Sequence, residues 1–352
     1  MKPLSIKGIL EEQFLEASAP CRIDAGGTWD IKSLALPLEG EGPVTVNMAL
    51  GLRTRVSLRP FQEGWVRIAS KGFSRVETAP FEKLPFHSPF GIFFAAVSHF
   101  GFHGLDVRIE AAVPVKSALG GSSTALVALL KALDKASVRF EGKKARAPRE
   151  ILHLGYQLED AVSPGKCGLQ DQAAAVYGGV HCWRWRYGDP ARPLWRESLL
   201  DRKGLVSLSR RILVAYSGKG HVSSRINKGW IHDFFTGATR EGWIRANRIV
   251  TGFASALKRE DWEEAEHLLR EEMAVRRKIT PGALIPLTEE LITSAERAGC
   301  GARFAGAGGG GSVWALGDPD RIEEVRKIWG RLLESVQGAL ILPSRLDPVG
   351  VR

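Results

Sequence analysis

The chain is poor in cysteine. Its 352 residues include four cysteines, at positions 21, 167, 182 and 300. None belongs to a Cys-x-x-Cys pair, and none lies at zinc-ligand spacing from a histidine. A chain of this length does not depend on disulfides to stabilise its core. The pattern argues against a disulfide framework or a structural zinc site and predicts free thiols in a reducing compartment.

The chain also lacks a long apolar run. Residues 1–15 alternate charged and apolar side chains, without the apolar core of a signal peptide. The apolar stretches elsewhere are far shorter than the roughly 20 residues that span a bilayer. Internal repeats and low-complexity tracts are absent as well. We therefore expect a soluble, cytoplasmic protein.

Basic residues outnumber acidic ones, with 49 Lys and Arg against 39 Asp and Glu and a net charge of +10. Such an excess suits nucleic acid or small anions such as nucleotides and sugar phosphates. The basic residues are scattered, and the densest run, residues 143–146, has the length of a solvated loop. No interleaving of aromatic and basic residues accompanies them. We expect small-molecule partners, no nucleic acid and no membrane.

Hydrophobic periodicity predicts strands early in the chain and helices later. The predicted strands are residues 44–49, 53–59, 65–70, 105–111 and 211–215. The predicted helices are residues 91–100, 122–136, 148–161 and 287–298, and residues 243–278 are predicted to be helical almost throughout. This order is typical of α+β folds, and the length suits two domains. We predict domains at residues 1–205 and 206–352, with a ligand cleft between them.

Residues 114–124, PVKSALGGSST, lead directly into the predicted helix at 122–136. Glycines let backbone N–H groups turn toward an anion, and a helix N-terminus adds partial positive charge. The serines can cap the helix or bind a phosphate-held Mg²⁺. A plain serine cap is the alternative, but it leaves the two adjacent glycines unexplained. The segment predicts phosphate binding without a Walker motif, since no Gly-Lys-Ser/Thr ends it.

A second glycine run, FAGAGGGGS, occupies residues 304–312. Four consecutive glycines cost conformational entropy on folding. We therefore expect some contact in this segment to require a backbone without side chains. Close approach to a ligand, or to the first glycine loop, is the functional interpretation. A flexible hairpin is the structural alternative.

Two further segments carry polar groups suited to phosphoryl transfer. Glu159 lies near the end of a predicted helix, and Asp171 follows a Pro-Gly turn. One carboxylate can hold Mg²⁺ while the other accepts a hydroxyl proton; singly, each would be a surface or capping residue. Residues 22–30, RIDAGGTWD, can place polar groups against a polyol, with a β-turn as the alternative.

These four segments together resemble the GHMP kinase superfamily, in its heptose 7-phosphate kinase and fucokinase branch, over residues 19–316. The resemblance implies a ribosomal protein S5 domain 2-like N-terminal domain and a C-terminal α/β domain. It also implies an ATP- and Mg²⁺-dependent kinase acting on the anomeric hydroxyl of a sugar or sugar phosphate, as a monomer or homodimer.

The resemblance assigns roles to individual residues. Asp171 is the implied catalytic base, Arg22 steadies the transition state, and Ser122 and Glu159 are the implied Mg²⁺ ligands. The implied nucleotide-binding residues are Lys116, Ser117, Leu119, Gly120, Gly121, Ser122, Ser123, Thr124, Gly308 and Gly309. The implied acceptor-binding residues are Asp30, Gly27, Gly178, Gly179, Ser223 and Arg225.

The first glycine loop departs from the family pattern at Lys116 and Ala118, where the motif usually carries glycine. A lysine there either adds a cation to the phosphate site or blocks the approach of the backbone. The departure keeps open a catalytically inactive relative that binds sugar and nucleotide. A fucokinase- or galactokinase-like enzyme on a neutral sugar is the other alternative.

Lys219 and Arg225, with the serines between them, can clamp a phosphate on the acceptor or form a polar loop.

Overall fold

The computed structural model describes residues 3–26, 29–72, 76–162, 167–220 and 223–352, without the side chains of residues 223–225. Its strands are β1 (Leu4–Ser5), β2 (Leu15–Ala25), β3 (Val44–Pro60), β4 (Trp65–Ser70), β5 (Val76–Pro80), β6 (Phe102–His103), β7 (Leu105–Ala111), β8 (Val180–Trp185), β9 (Leu194–Ser198), β10 (Ile212–Tyr216), β11 (Gly301–Phe304), β12 (Ser312–Leu316) and β13 (Leu340–Leu342). Its α-helices are α1 (Lys7–Glu12), α2 (Lys32–Ala35), α3 (Gly91–Phe100), α4 (Gly121–Glu141), α5 (Pro148–Val162), α6 (Gln170–Tyr177), α7 (Arg202–Ser209), α8 (Ser223–Phe235), α9 (Arg240–Lys258), α10 (Trp262–Ile279), α11 (Pro286–Arg297) and α12 (Pro319–Glu334).

The larger sheet is built from strands that lie between residues 15 and 198. Its strand order is β5-β4-β7-β3-β8-β9, and β2 pairs with β3 outside this path. Strands β4 and β7 are parallel, and the other pairs are antiparallel. Helices α4 and α6 pack on β2 and β3. The sheet and these helices position both ends of the glycine loop that precedes α4.

The apolar side of α4 shows why that helix forms where it does. Leu126, Leu129, Leu130 and Leu133 recur at helical spacing and are completely buried. Burying each leucine stabilises the fold by about 1.5–3 kcal/mol. The predicted helix at 122–136 is therefore correct, and the structure extends it to Gly121–Glu141.

The smaller sheet contains only strands that follow residue 211. Its order is β11-β12-β10-β13, and every pair is antiparallel. Helices α10 and α11 pack on β11, and α12 packs on β10 and β13. Strands β1 and β6 form a third, two-stranded sheet. The segregation of helices and sheets confirms the predicted α+β class. The predicted boundary between residues 205 and 206 falls inside α7 and stays a prediction.

The two predicted strands at residues 44–49 and 53–59 were wrong in their extent. Residues 44–49 and 53–59 are one strand, β3, because β2 pairs along its length and absorbs an irregularity at Pro20 and Cys21. The segment at 243–278 is helical almost throughout, as predicted, and consists of two helices, α9 and α10. The break comes at Glu260, whose φ is 55°, and at Asp261, whose side chain caps α10. Helix α6 was missed, since its eight residues are too short for a periodicity signal.

All four cysteines are free, as predicted. Across the described ranges, no helix has both the length and the apolar composition needed to cross a membrane.

Candidate active site

A cavity of about 370 Å³ lies where the first glycine loop, α6 and the second glycine run meet. Ten residues singled out from the sequence line it: Arg22, Asp30, Lys116, Ser117, Gly120, Gly121, Ser122, Ser123, Glu159 and Asp171. They come from β2, the segments after β2 and β7, and helices α4, α5 and α6. The fold thus gathers most of the predicted site residues around one space.

Gly120 is the N-cap of α4 and has a φ of 75°, a conformation that glycine adopts without steric cost. A Cβ at this position would lie 3.0 Å from Cγ of Asp171. The bare backbone therefore lets Asp171 approach the helix N-terminus. The N–H groups of the first turn of α4 have no partner in the helix and suit an anion.

The first glycine loop has a glycine-like backbone conformation at Lys116 and Ala118, two positions that carry side chains. Lys116 has a φ of 60° and Ala118 a φ of 66°, both left-handed. For an L-residue this conformation costs roughly 1–2 kcal/mol. The facing positions are glycines that leave room for the side chains. A Cβ on Gly220 would lie 3.1 Å from Cβ of Lys116, and one on Gly311 would lie 2.5 Å from Cβ of Ala118.

Asp171 stands in the first turn of α6 and pairs with Arg22 of β2. Nε of Arg22 lies 2.8 Å from Oδ1 of Asp171, and Nη2 lies 2.5 Å from the same oxygen. The Asp171 side chain is 25% exposed and the Arg22 side chain 5%. Burial alone would lower the pKa of Arg22, but the charges of Asp171 and Asp24 raise it above its ordinary value. Arg22 is therefore a permanent cation beside the cavity.

Glu159 lines the same cavity as this pair. Its carboxylate accepts hydrogen bonds from the Ser123 hydroxyl, at 2.8 and 3.1 Å, and from the amide of Gln172. Burial, reinforced by the charges of Asp171 and Asp30, raises the pKa of Glu159 to about 7. Ser123 is thus the serine that supports Glu159, whereas Ser122 is exposed and faces the cavity.

The oxygen atoms at this point suit Mg²⁺. Glu159 offers a carboxylate and Ser122 a hydroxyl, the hard ligands that Mg²⁺ accepts alongside phosphate oxygens. Burial raises the pKa of both Glu159 and Asp30, and the negative charge of Asp171 adds to each shift, a repulsion that a cation relieves. No group of three or more His, Cys, Asp or Glu side chains in the described residues forms a cation cage. A metal bound here would need further oxygen ligands, such as those of a phosphate or of water.

Asp30 forms a second polar spot on the cavity wall. It is 2% exposed, and its Oδ2 accepts the backbone N–H of Gln170 at 3.0 Å. Among the residues that the structure describes, its buried Oδ1 has no hydrogen-bond partner. Burial raises the pKa of Asp30 to about 7. A buried carboxyl oxygen without a partner is costly, and a hydroxyl from a ligand would satisfy it.

The second glycine run meets the cavity through Gly306 and Ala307, rather than through the predicted Gly308 and Gly309. Gly309 donates its N–H to the carbonyl of Ala283, and a Cβ on Gly308 would overlap the same carbonyl. These two glycines are bare because they pack against the turn at Pro281–Ala283. The sequence correctly predicted that this run requires glycine. In the structure, however, Gly308 and Gly309 pack against other residues of the protein rather than facing the cavity.

Gly178 and Gly179 also lie away from the cavity lining. The N–H of Gly179 binds the carbonyl of Asp347, and a Cβ on Gly178 would lie 2.5 Å from the backbone of Val349. The C-terminal segment, residues 347–352, runs across this corner. Arg53 holds the same segment through Asp347 at 2.6 Å. Gly178 and Gly179, at the end of α6, thus leave room for the backbone of the C-terminal segment.

Five other predicted residues do not line the cavity or lie outside the described part of the site. Leu119 is fully buried in the core, and the Thr124 hydroxyl donates to the Gly120 carbonyl at 2.8 Å inside the first turn of α4. Neither belongs to the cavity lining. Gly27 lies outside the described residues, as do the side chains of Ser223 and Arg225.

Two features of the site were not predicted from the sequence: the apolar wall of the cavity and the buried charge of Asp24. The apolar part of the cavity is formed by Phe90, Phe93, Ile109 and Val113. These resemble core residues in the sequence, so no local signal marked them. Asp24 was also missed. It is completely buried, and the charges of Arg303 and Arg22 outweigh burial and lower its pKa. Its position within a strand gave no sign of ionic partners.

Two family models match the chain. Residues 90–179 match "GHMP kinases N terminal domain" and residues 253–335 match "GHMP kinases C terminal". The chain is 25% identical, over 358 aligned positions, to a Bacteroides fragilis protein named L-fucokinase/L-fucose-1-P guanylyltransferase. That alignment covers 91% of this chain but only 36% of the relative, so the chain spans about a third of its length.

Solved structures show the same fold. The Lactococcus lactis galactokinase bound to galactose has a TM-score of 0.72 at 16% identity and covers 98% of both chains. A D-glycero-D-manno-heptose 1-phosphate kinase from Bacteroides thetaiotaomicron has a TM-score of 0.68 at 17% identity, covering 96% of this chain and 98% of its own. At these identities the likeness concerns the fold alone.

Proposed function

Because the chain belongs to the GHMP kinases, a family of ATP-dependent phosphotransferases that act on hydroxyl groups, we propose that it transfers the γ-phosphate of ATP to a sugar hydroxyl. The observation that carries the proposal is the Arg22–Asp171 pair at the cavity. A base and a fixed cation lie next to a glycine-lined helix N-terminus and share the cavity with Glu159. Phosphoryl transfer needs positioning and charge stabilisation of this kind.

The nucleotide phosphates would lie against the first turn of α4, where Gly120, Gly121 and Ser122 line the cavity. The apolar wall around Phe90 and Phe93 suits the adenine ring, because a flat base gains from apolar contact. Mg²⁺ held by Ser122 and Glu159 would neutralise charge on the phosphates. This chain's own part is to hold the triphosphate with its terminal phosphate toward Asp171.

The acceptor hydroxyl would lie between Asp171 and Asp30. Asp171 takes the hydroxyl proton, the hydroxyl oxygen forms a bond to the γ-phosphorus, and the bond to the β–γ bridging oxygen breaks to release ADP. Arg22 stabilises the charge that develops on the transferred group. The unpartnered Oδ1 of Asp30 accepts a second hydroxyl of the substrate. Adjacent hydroxyls of this kind are typical of a sugar.

For the acceptor we propose a sugar phosphate phosphorylated at its anomeric hydroxyl, with heptose 7-phosphate as the first substrate to test. The net charge of +10 favours an anionic acceptor, and the sequence places Lys219 and Arg225 near the start of α8. A neutral sugar is the second candidate. The similarity to a relative named as a fucokinase, over 91% of this chain, favours it.

The test is ATP turnover with heptose 7-phosphate, L-fucose and D-galactose, in the native protein and in Arg225→Ala. We expect heptose 7-phosphate to react fastest and the variant to raise its KM far more than the KM for ATP. Efficient turnover of a neutral hexose, unaffected by Arg225→Ala, would favour the second candidate. Tight binding of nucleotide and sugar without any turnover would identify an inactive, ligand-binding relative.

The assignment of the base is tested by Asp171→Asn. The amide keeps the shape but cannot accept the proton, so we expect turnover to fall by about 10²–10⁴-fold while ATP binding stays close to native. Asp160→Asn is the matched control, since Asp160 lies on α5 near the site without lining the cavity. Full activity of Asp171→Asn would remove Asp171 from the mechanism.

A further inference from the structure

Arg22 is shared between two carboxylates. Its Nε and Nη2 both contact Oδ1 of Asp171, at 2.8 and 2.5 Å. Its Nη1 points the other way, donating to the Ala118 carbonyl at 2.7 Å and lying 3.5 Å from Oδ1 of Asp24. Among the described residues, Oδ2 of Asp171 receives no hydrogen bond. One oxygen of the proposed base is thus held while the other remains available.

Asp24 is itself fixed by the other sheet. Nη1 of Arg303, on β11, lies 2.8 Å from Oδ2 of Asp24. The N–H of Gly306, in the second glycine run, donates to Oδ1 of Asp24 at 2.7 Å. Arg303 also lies 3.2 Å from Glu272 of α10, and all three ionic side chains are at most 1% exposed. A buried path of charges therefore leads from Asp171 through Arg22 and Asp24 into the second half of the chain.

We propose that Asp24 is a positioning residue that restrains Arg22 to contact only one oxygen of Asp171. An arginine and a carboxylate otherwise favour a two-pronged pair, with both carboxylate oxygens engaged. The Nε–Nη2 edge of Arg22 would reach both oxygens after a rotation of the guanidinium group. The contacts of Nη1 with Asp24 and with the Ala118 carbonyl fix the orientation of that group and so prevent the rotation. Oδ2 of Asp171 then stays free to take the hydroxyl proton. This inference rests on the proposed function, because it concerns the same base.

A purely structural role for Asp24 is the competing explanation. A buried carboxylate beside Arg303 has to be paired, and removing one member of such a pair leaves an uncompensated charge. Loss of activity in a single Asp24 variant would therefore fit either explanation. The two differ when both members of the Asp24–Arg303 pair are neutralised together, since Arg303 then leaves no unpaired charge beside position 24. Glu272, the other partner of Arg303, keeps Arg276 at 3.9 Å.

The experiment compares Asp24→Asn with the double variant Asp24→Asn/Arg303→Gln. The asparagine retains an oxygen to accept the Gly306 N–H. We expect Asp24→Asn to lower kcat roughly 10- to 100-fold, as expected for a misplaced catalytic group, with the KM values for ATP and sugar within about threefold of native. The double variant should recover the thermal stability lost in Asp24→Asn and keep the low kcat. If the double variant recovered kcat as well as thermal stability, the inference would be overturned.

Asp106→Asn is the matched control. Asp106 is 2% exposed and is paired with Arg67 and Arg108, but it lies outside the cavity lining. This variant should lower stability and leave kcat within about threefold of native. A kcat loss equal to that of Asp24→Asn would mean that any buried carboxylate produces it, and would overturn the inference.

A readout independent of turnover is the crystal structure of the double variant. We expect Arg22 to move into contact with both oxygens of Asp171. An unmoved Arg22, with Oδ2 still free, overturns the inference whatever the kinetics show. If the native protein phosphorylates no acceptor, the proposed function fails, and the position of Arg22 still decides the role of Asp24.

Discussion

The methyl group of Ala118 occupies the space that a side chain on Gly311 would need. A Cβ added to Gly311 would lie 2.5 Å from Cβ of Ala118, closer than two carbons can approach. Both residues have left-handed backbones, with φ of 66° and 70°. The two glycine-rich segments therefore meet through one side chain and one bare backbone.

This contact predicts an energetic coupling between the two positions. Gly311→Ala should destabilise the protein by about 2–4 kcal/mol, because it adds backbone strain and a clash. Adding Ala118→Gly should recover part of that loss, since it removes the clashing methyl while the strain at position 311 remains. Urea unfolding measures the coupling, which we expect to be about 1–3 kcal/mol.

Gly330→Ala is the control, because Gly330 lies in α12 with nothing within 4 Å of an added Cβ. It should be neutral or stabilising by up to about 1 kcal/mol. Additive effects of Gly311→Ala and Ala118→Gly would show that the two side chains do not compete for space.

Lys116 tests whether the departure from glycine helps or hinders nucleotide binding. Lys116→Met keeps a side chain on the left-handed backbone and removes the charge, whereas Lys116→Gly removes both the charge and the strain. If Lys116 contacts a phosphate, both variants should weaken ATP binding by about 1–3 kcal/mol. Isothermal titration calorimetry would measure the affinity of each variant for ATP. Tighter binding by Lys116→Gly alone would favour the inactive, ligand-binding alternative.

The adjacent serines predict different responses to metal. Ser122→Ala removes a hydroxyl that faces the cavity, so it should raise the Mg²⁺ concentration needed for half-maximal rate, as should Glu159→Gln. Ser123→Ala instead removes the hydrogen bond that lowers the pKa of Glu159. Its Mg²⁺ requirement should be close to native at pH 8.5 and rise more steeply than native as the pH falls.

Kinetic titrations of Mg²⁺ at several pH values would distinguish the two serines. Asp160→Asn serves as the control and should leave the metal requirement unchanged. A native metal dependence in both Ser122→Ala and Glu159→Gln would exclude them as ligands.

Burial of Glu159 predicts a pH-dependent stability of the metal-free protein. Its pKa rises from 4.5 to about 7 on folding. The folded state therefore binds more protons between these values, and the carboxyl lowers the free energy of unfolding as pH rises toward 8. The loss is at most about 3 kcal/mol, at 1.36 kcal/mol per pKa unit.

Urea unfolding in EDTA at pH 5 and pH 8 would measure this effect. Glu159→Gln should reduce the difference between the two pH values, and Asp160→Asn should not. An undiminished difference in Glu159→Gln would assign the pH dependence to other groups, with Asp30 as the first to examine because its pKa is also raised to about 7.

Local patterns in the sequence were sufficient for the class of fold and for several elements. The leucine spacing of α4 and the alternation of β4 and β7 predicted those elements closely, because each buries one face. Paired glycines and serines before α4 predicted an anion site from helix geometry alone. The prediction of two carboxylates also followed from their residue type and from the family resemblance, and both line the cavity.

Only the tertiary structure decided which glycines face the cavity and which face protein. Gly178 and Gly179 accommodate the segment at 347–352, and Gly309 binds Ala283, in each case through partners more than 25 positions away in the chain. The role of Ser123 beside Glu159 and of Asp24 between Arg22 and Arg303 likewise depends on distant contacts. Sequence spacing describes neighbours along one element. The orientation of a buried charge is fixed by whichever charges the packed sheets bring to it, and no local pattern records them.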